Sequence, residues 1–496
     1  MTARLLHIIV LFLTPVWCFA LTFDEMVASM TSLSLPQVNV EIYADTVSFQ
    51  YFVPGKITIA EYNDSSVTTT DYNCLIRQRG KTALFLPKLS YAIKLVDENG
   101  EKLDANLLGL RNDNSWILNA MGIDKLRMRD RVCFDIWNEF SHTMWDTKFG
   151  NRNGTVGTMV EVFVNGEYNG IYCLSDKINR QLLNLRKAKE NDDGTVTIKG
   201  LLYKGKSSGL SNNLLDYIED RTDTLKWNTI ELQYPDEYPS AETWQPLMDL
   251  IDFNGKTDDE YFKAHYNEWY YVENLVDYWI LLVAFGIDDM PYKNTFLSVP
   301  DINFTHRYMI TPWDLDACFG RASDGSIAYF YSSTGRLNAY GPYNRLIAQD
   351  IDGIKNRIAR RWLQLIEAEL NPDNVESHIN AIAQRYVESG AWQREYELWK
   401  DEVDDTRVII GENINDEIEY VMGWYRNNLN HMTLHLDKWR DDYVEEDVIT
   451  SHTITRIYNY LLGIDTTYYD DLDINCDGGI TSNDITAAYD FLLGNY

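Results

Sequence analysis

Val160-Glu-Val-Phe-Val-Asn-Gly-Glu-Tyr-Asn-Gly-Ile-Tyr-Cys-Leu174 is the stretch from which the fold of this chain is read. Apolar and β-branched residues alternate with polar ones around Asn165-Gly166. Alternation with period two marks a half-buried strand, and Asn-Gly is the pair that tolerates the positive φ angles of a type I′ turn. The segment is therefore a β-hairpin. Toward the N-terminus the same reasoning predicts strands at Val38-Asn-Val-Glu-Ile-Tyr43, Lys56-Ile-Thr-Ile-Ala60 and Tyr91-Ala-Ile-Lys-Leu-Val96, the last before a turn at Asp97-Glu-Asn-Gly100. Trp116-Ile-Leu-Asn119 leads past Gly122 into Asp124-Lys-Leu-Arg-Met-Arg-Asp-Arg131, whose apolar face runs on to Phe140 as a helix would. Beyond about residue 210 the pattern turns helical, notably Glu273 to Phe285, Ile351 to Leu370 and Glu412 to Trp439. Strands first and helices second predict an α+β domain with two lobes over residues 21–440.

Bulk properties agree with more than one folded unit. A chain of 496 residues exceeds one ordinary core, and 45% hydrophobic with 13% aromatic content suffices for globular domains. The formal charge of −31 excludes a nucleic-acid backbone as the natural partner, because phosphate is repelled. At the N-terminus, Arg4 precedes an apolar run from Leu5 to Phe19, and Cys18-Phe19-Ala20 gives a small-residue exit. That pattern predicts a signal peptide over residues 1–20 and a secreted, extracellular mature chain. No other segment is long and apolar enough to span a bilayer. Beyond Cys18 stand Cys74, Cys133, Cys173, Cys318 and Cys476, an odd and irregular set that is not a disulfide framework and suits an anaerobic habitat.

Near the C-terminus, Asp473-Ile-Asn475-Cys-Asp477-Gly478-Gly479-Ile480-Thr481-Ser482-Asn483-Asp484 puts side-chain oxygens at positions 1, 3, 5 and 12 of a twelve-residue loop. Calcium needs six to eight hard oxygens on a tightly turning chain. Asp473, Asn475, Asp477, the Gly479 carbonyl and Asp484 supply them, with Gly478 at the sharp turn. The segment Ile449 to Gly463 mirrors Ile480 to Gly494, so two loop-helix units are expected to pack face to face and bury their Tyr/Leu/Leu stripes. This duplication resembles a dockerin over residues 441–496. The resemblance implies a small all-α calcium-binding module, a cohesin partner on a cellulosome scaffold, and recognition from Ser482 and Asn483. In the first unit the equivalent positions hold Asp442, Val444, Glu446, Asp447 and Thr453, which removes the turn glycine and two ligands. One calcium ion is therefore expected rather than two. An isolated loop of this kind also fits an EF-hand sensor; the signal peptide and terminal position favour the dockerin.

Across the large domain, several stations resemble the CotH (spore coat protein H) family, whose members are protein-kinase-like. They are Arg77-Gln-Arg-Gly-Lys-Thr82, Pro87 to Leu95, Trp116-Ile-Leu, Arg127-Met-Arg-Asp-Arg131, Val164 to Tyr172, Asp289-Met-Pro-Tyr-Lys-Asn294 and Thr311-Pro-Trp-Asp-Leu-Asp316. The resemblance implies an atypical kinase fold with a strand-rich N-lobe and a helical C-lobe. Phosphoryl transfer needs metal-binding acids, an orienting acid and a cation for the phosphates. Asp289 and Asn294 have the spacing of a kinase catalytic loop: the carboxylate would accept a hydroxyl proton while the amide oxygen binds magnesium or manganese. Asp314 and Asp316 flank Leu315, so on an extended segment both face one side and ligate the same metal. Lys94 resembles the strand lysine that grips the phosphates of ATP, with Lys88 as the fallback.

The same residues have plainer readings. Asp288 and Asp289 can cap a turn before Pro291, Trp-Asp-Leu-Asp can be a half-buried strand, and Lys94 can be a solvated strand lysine. His431 and His435 lie one helical turn apart without a third ligand, which reads as a packed face. Glu139 and Asp135 are weak candidates for a helix glutamate paired with the lysine. Two function classes result: an exported kinase-like enzyme phosphorylating a protein hydroxyl, or a non-catalytic carbohydrate- or protein-binding component of a polysaccharide-degrading cellulosome that retains the fold. A glycoside hydrolase has paired carboxylates in its favour but no family pattern.

Overall fold

A computed structural model of the chain describes residues 22–80, 84, 86–145, 152–206, 213–216, 226–227, 229–287, 290–291, 293–328, 334–401, 410–442, 451–464, 472–475 and 479–493. The expected signal peptide lies outside them. The fold is mixed α+β. Seven strands form a closed barrel: β1 (Gln37–Ile42), β2 (Val53–Asn63), β3 (Ser66–Arg79), β4 (Ser90–Val96), β5 (Ser115–Asn119), β6 (Gly157–Val164) and β7 (Glu167–Ser175), in the order β1-β2-β3-β4-β5-β7-β6. Closure comes from a parallel β1–β6 pairing with Gln37 opposite Glu161, and it leaves no free sheet edge. Alternate residues fill the interior, among them Val38, Val40, Ile57, Ile59, Ile93, Leu95, Trp116, Leu118, Val160 and Val162. The predicted hairpin is β6–β7, and its turn carries φ of 53° at Asn165 and 82° at Gly166. Asn165 also latches the barrel closed, its Oδ1 accepting the Ile42 amide at 2.8 Å. Helix α1 (Phe23–Ala28) packs Phe23 on Phe163 at one end.

Helix α2 (Arg129–Phe140) links β5 to β6 and starts later than its apolar pattern suggests. Arg127 has φ of 56°, and the Asp124 carboxylate accepts the amides of Met128 and Arg129 at 2.7 Å each. A side-chain cap of that kind satisfies orphan amides and sets the true start.

The part read as turning helical beyond about residue 210 also contributes to a sheet, which begins just before it. Past a small hairpin of β8 (Lys189–Glu190) and β9 (Val196–Thr197), strands β10 (Leu201–Gly205), β11 (Lys226–Trp227), β12 (Ile230–Tyr234), β13 (Thr295–Val299) and β14 (Met309–Pro312) pair in the order β11-β12-β10-β13-β14. β13 and β14 are buried at every residue, so they lack the alternation that reveals a strand. Around them stand α3 (Ala241–Lys256), α4 (Asp259–Trp269), α5 (Val272–Phe285), α6 (Gly335–Asn338), α7 (Gly341–Ala348), α8 (Ile354–Ile366), α9 (Pro372–Glu388), α10 (Ala391–Trp399) and α11 (Ile414–Asp437). Helix α5 is buried at every residue except Glu273 and forms the axis of the larger core, which is separate from that of the barrel.

At the C-terminus α12 (Ser451–Leu461) and α13 (Ser482–Leu493) share a small core of Ile454, Ile457, Leu472, Ile480, Ile485 and Ala488. The expected burial of the Tyr/Leu/Leu stripes is not what forms. Tyr458, Leu461 and Leu462, with Tyr489, Leu492 and Leu493, are all exposed, because the Ile454/Ile457 and Ile485/Ala488 faces meet instead.

Candidate active site

The barrel meets the larger core at a narrow cleft lined by Arg79, Ile117, Asn119, Asp130, Phe134, Thr155, Ser175, Trp313 and Asp314. Arg79 closes β3, Asp130 sits in the first turn of α2, and Asp314 lies two residues past the end of β14. Asp314 has φ of 61°, a left-handed conformation that non-glycine residues adopt sparingly and that recurs at functional sites. Its carboxylate forms no hydrogen bond or close ion pair among the described residues. Asp130 Oδ1 accepts the Leu315 amide at 2.8 Å, which ties α2 to the Asp314 segment. Burial, and then the charge of Asp314, push Asp130 up to about 6. Two carboxylates thus share a site that favours one proton or one cation between them.

Cations face this pair. Arg79 and Lys204 (β10) both lie over the Trp313 ring, at 5.5 and 5.1 Å, and Lys204 also over Phe296 at 5.4 Å. Burial draws Arg79 downward, opposed by Asp314, Asp130 and Asp316. Burial, followed by Arg79, pulls Lys204 down to about 8. Lys177 is lowered by burial and then by Lys94, Arg77 and Arg79. Arg77 and Lys94 both lie over the Phe52 ring, at 4.9 and 4.8 Å. Five cations that repel one another, in a chain of net charge −31, form a place that an anion with several charges would relieve.

The family described as CotH kinase protein matches the chain over residues 76–432. The chain belongs to the CotH kinase protein family. No curated protein gives a significant match.

Within the CotH domain the sequence-read residues fall in different places. Lys94 is exposed on β4 with its ammonium over Phe52, electrostatically linked to Lys177 at the cationic cluster. Lys88 lies away from the cleft. It is 2% exposed, and its ammonium donates to Glu395 Oε1 and the Ile171 carbonyl, both at 2.6 Å. Arg127 Nε joins the same carboxylate at 2.7 Å, and the other oxygen accepts the Ile171 amide at 2.7 Å. Burial lowers Lys88; burial also works to raise Glu395, but Lys88 and Arg127 outweigh it and hold the carboxylate below its usual range. Lys88 is thereby committed to pinning α10 on β7.

Asn294 has φ of 60° and its amide donates to Gly205 at 3.2 Å, one residue from Lys204. Asp289 lies outside the described residues. The premise of an extended segment at Asp314 to Asp316 does not hold, because β14 ends at Pro312 and Asp314 turns left-handed. Both carboxylates nonetheless act on Arg79. Asp135 pairs with Arg131 at 2.9 Å and Glu139 with His378 at 2.9 Å, so neither meets a phosphate-gripping lysine. The arginine station 127–131 is largely structural. Arg129 bridges Asp124 and Glu417, both at 2.5 Å, and Arg131 donates to the Thr155 carbonyl at 2.6 Å. His431 and His435 are both lowered by burial, in keeping with a packed face.

Sequence reading passed over Arg79, Asp130, Lys177 and Lys204. Arg79 and Asp130 belong to the motifs Arg77–Thr82 and Arg127–Arg131, in which their own spacing signals no role. Lys204 carries one local signal, a lone cation in the apolar strand Leu201-Leu-Tyr-Lys-Gly205.

In the C-terminal loop, Asp484 is fully buried in the first turn of α13. Its oxygens accept the Asn475 amide at 3.1 Å and the Thr481 amide at 2.7 Å, which folds the last acid of the loop back over its start. Asp477 lies outside the described residues. Asp473, Asn475, the Gly479 carbonyl and Asp484 are hard oxygen donors that suit calcium. In the first unit Asp442 is taken by Arg440 at 2.9 Å and Arg360 at 3.4 Å, and Val444, Glu446 and Asp447 lie outside the described residues.

Proposed function

We propose that this CotH protein is an exported atypical kinase that moves the terminal phosphoryl group of ATP to a protein hydroxyl. The observation that carries the reading is the cleft in which unpaired Asp314 and Asp130, the latter pushed up to about 6 by burial and then by Asp314, meet the charges of Arg79 and Lys204, both of which lie over the Trp313 ring. Asp314, with Asp316 and Asn294, would hold magnesium or manganese, and the metal would neutralise charge on the phosphates. Arg79 and Lys204 would orient the phosphates, and their burial strengthens each interaction by excluding water. Lys94 and Lys177 would extend that cradle. Asp289 would take the proton from the incoming hydroxyl.

The tail is read as a dockerin-like module that binds one calcium ion and attaches the enzyme to a cohesin of a cellulosome-type scaffold. In support, the paired Tyr458/Leu461/Leu462 and Tyr489/Leu492/Leu493 patches are exposed, a doubled apolar surface unusual unless it meets a partner.

Incubation of the mature protein with labelled ATP, manganese or magnesium, and candidate acceptor proteins tests the enzyme reading. Transfer that disappears in Asp314→Asn and Asp289→Asn supports it. Transfer that persists in both variants refutes the assigned site. No transfer and no nucleotide binding under any metal would leave the non-catalytic scaffold component as the function.

A further inference from the structure

We propose that Cys133 and Cys318 are the two halves of a disulfide bond formed when the chain folds under oxidising conditions. Their sulfurs lie 3.5 Å apart, and both residues are fully buried. The two stand 185 positions apart in sequence, which is why spacing alone gives no hint of a pair. Cys74 and Cys173, the other free thiols among the described residues, sit in β3 and β7 without a thiol partner of this kind.

The elements involved are those of the candidate site. Cys133 is one helical turn beyond Asp130 on α2, and Cys318 lies two residues past Asp316, its amide donating to the Asp316 carbonyl at 3.0 Å. A bond between them would fasten the helix that bears one facing carboxylate to the segment that bears the other. Closing the gap asks only for a sulfur shift on the order of 1.5 Å.

The chemistry is thiol–disulfide exchange with a small-molecule disulfide such as oxidised glutathione. One cysteine sulfur attacks the oxidant, forming a mixed disulfide and expelling one glutathione thiolate. The second cysteine then attacks the mixed disulfide, the intramolecular S–S bond forms, and the second glutathione leaves. The two protein thiol protons end on the two glutathiones, and the oxidant takes up two electrons. Both sulfurs are sealed from solvent in the folded core, where an oxidant cannot reach them, so the exchange belongs to the folding chain, before the core closes.

The test refolds the reduced full-length chain in a glutathione redox buffer, blocks free thiols with iodoacetamide in denaturant, and maps the digested peptides by mass. The expected product joins the Cys133 and Cys318 peptides and weighs about 2 Da less than their sum. The oxidised protein should melt about 5 °C above the reduced one, given a loop of that length. Cys133→Ala should leave Cys318 alkylated and erase the difference in Tm. The same map of protein exported to an oxidising bacterial periplasm reads the bond without a refolding step. Full alkylation of both cysteines in folded protein from either route, or their pairing with Cys74, Cys173 or Cys476, overturns the proposal.

Discussion

Replacing Glu395 by glutamine is the sharpest probe of how the CotH barrel is held to its helices. The carboxylate is completely buried and accepts three donors: Lys88 at 2.6 Å, Arg127 at 2.7 Å and the Ile171 amide at 2.7 Å. It also occupies the space beside Gly170, where an added Cβ would stand 2.0 Å from its Oε2. Glutamine keeps the shape, removes the charge, and turns one accepting oxygen into a donating amide that confronts another donor. Two cations are left buried without a counter-charge, which costs about 3–5 kcal/mol. Urea unfolding followed by tryptophan fluorescence should show that loss. Lys88→Met alone should cost a comparable amount, and the double variant less than the sum of the two, since each single change strands the other partner. Nucleotide affinity, measured where each variant is still folded, should be unaltered. A Glu395→Gln protein within about 1 kcal/mol of the parent would refute the argument. So would a Lys88→Met protein of full stability that fails to bind nucleotide, since that outcome returns Lys88 to the phosphates.

Asp314→Asn should lower phosphoryl transfer at least about a hundredfold while leaving the melting temperature level or slightly raised, because asparagine tolerates the left-handed backbone and one of two crowded charges disappears. Asp130, raised from 3.8 to about 6, keeps its proton over a range in which the unfolded chain has lost it. In chelator, therefore, stability should fall between about pH 4 and pH 6 by on the order of 3 kcal/mol at most and stay level above, with Asp130→Asn abolishing that slope; a slope of the opposite sign in the parent that the variant removes would contradict the assignment. Lys204→Met should weaken nucleotide binding about tenfold or more and flatten its salt dependence, as followed by calorimetry. Chelation of calcium, or Asp484→Ala, should reduce the helical circular dichroism of the α12–α13 unit with the large domain intact. An unchanged spectrum would dismiss the calcium loop.

Local pattern was enough for β1, β2, β4 and the β6–β7 hairpin with its Asn165-Gly166 turn, and for helices α5, α8 and α11, because period, turn chemistry and length are properties of neighbouring residues; β3, largely exposed along its first half, and the short β5 escaped it. It was enough, too, for the motifs that place this chain among CotH proteins, including Asp314. Tertiary structure alone decided what those residues face. β13 and β14 are hidden on both sides and so have no period to read, and the parallel β1–β6 seam joins segments far apart in sequence. Lys88 and Lys94 are both strand-region lysines with similar neighbours, yet one is sealed against Glu395 while the other lies over Phe52. The grouping of Arg79, Asp130, Lys204 and Asp314 around Trp313 draws on β3, α2, β10 and the end of β14. Burial and the charge of neighbours, which tune such groups, act through space, and a linear sequence carries no record of those distances until the chain has closed on itself.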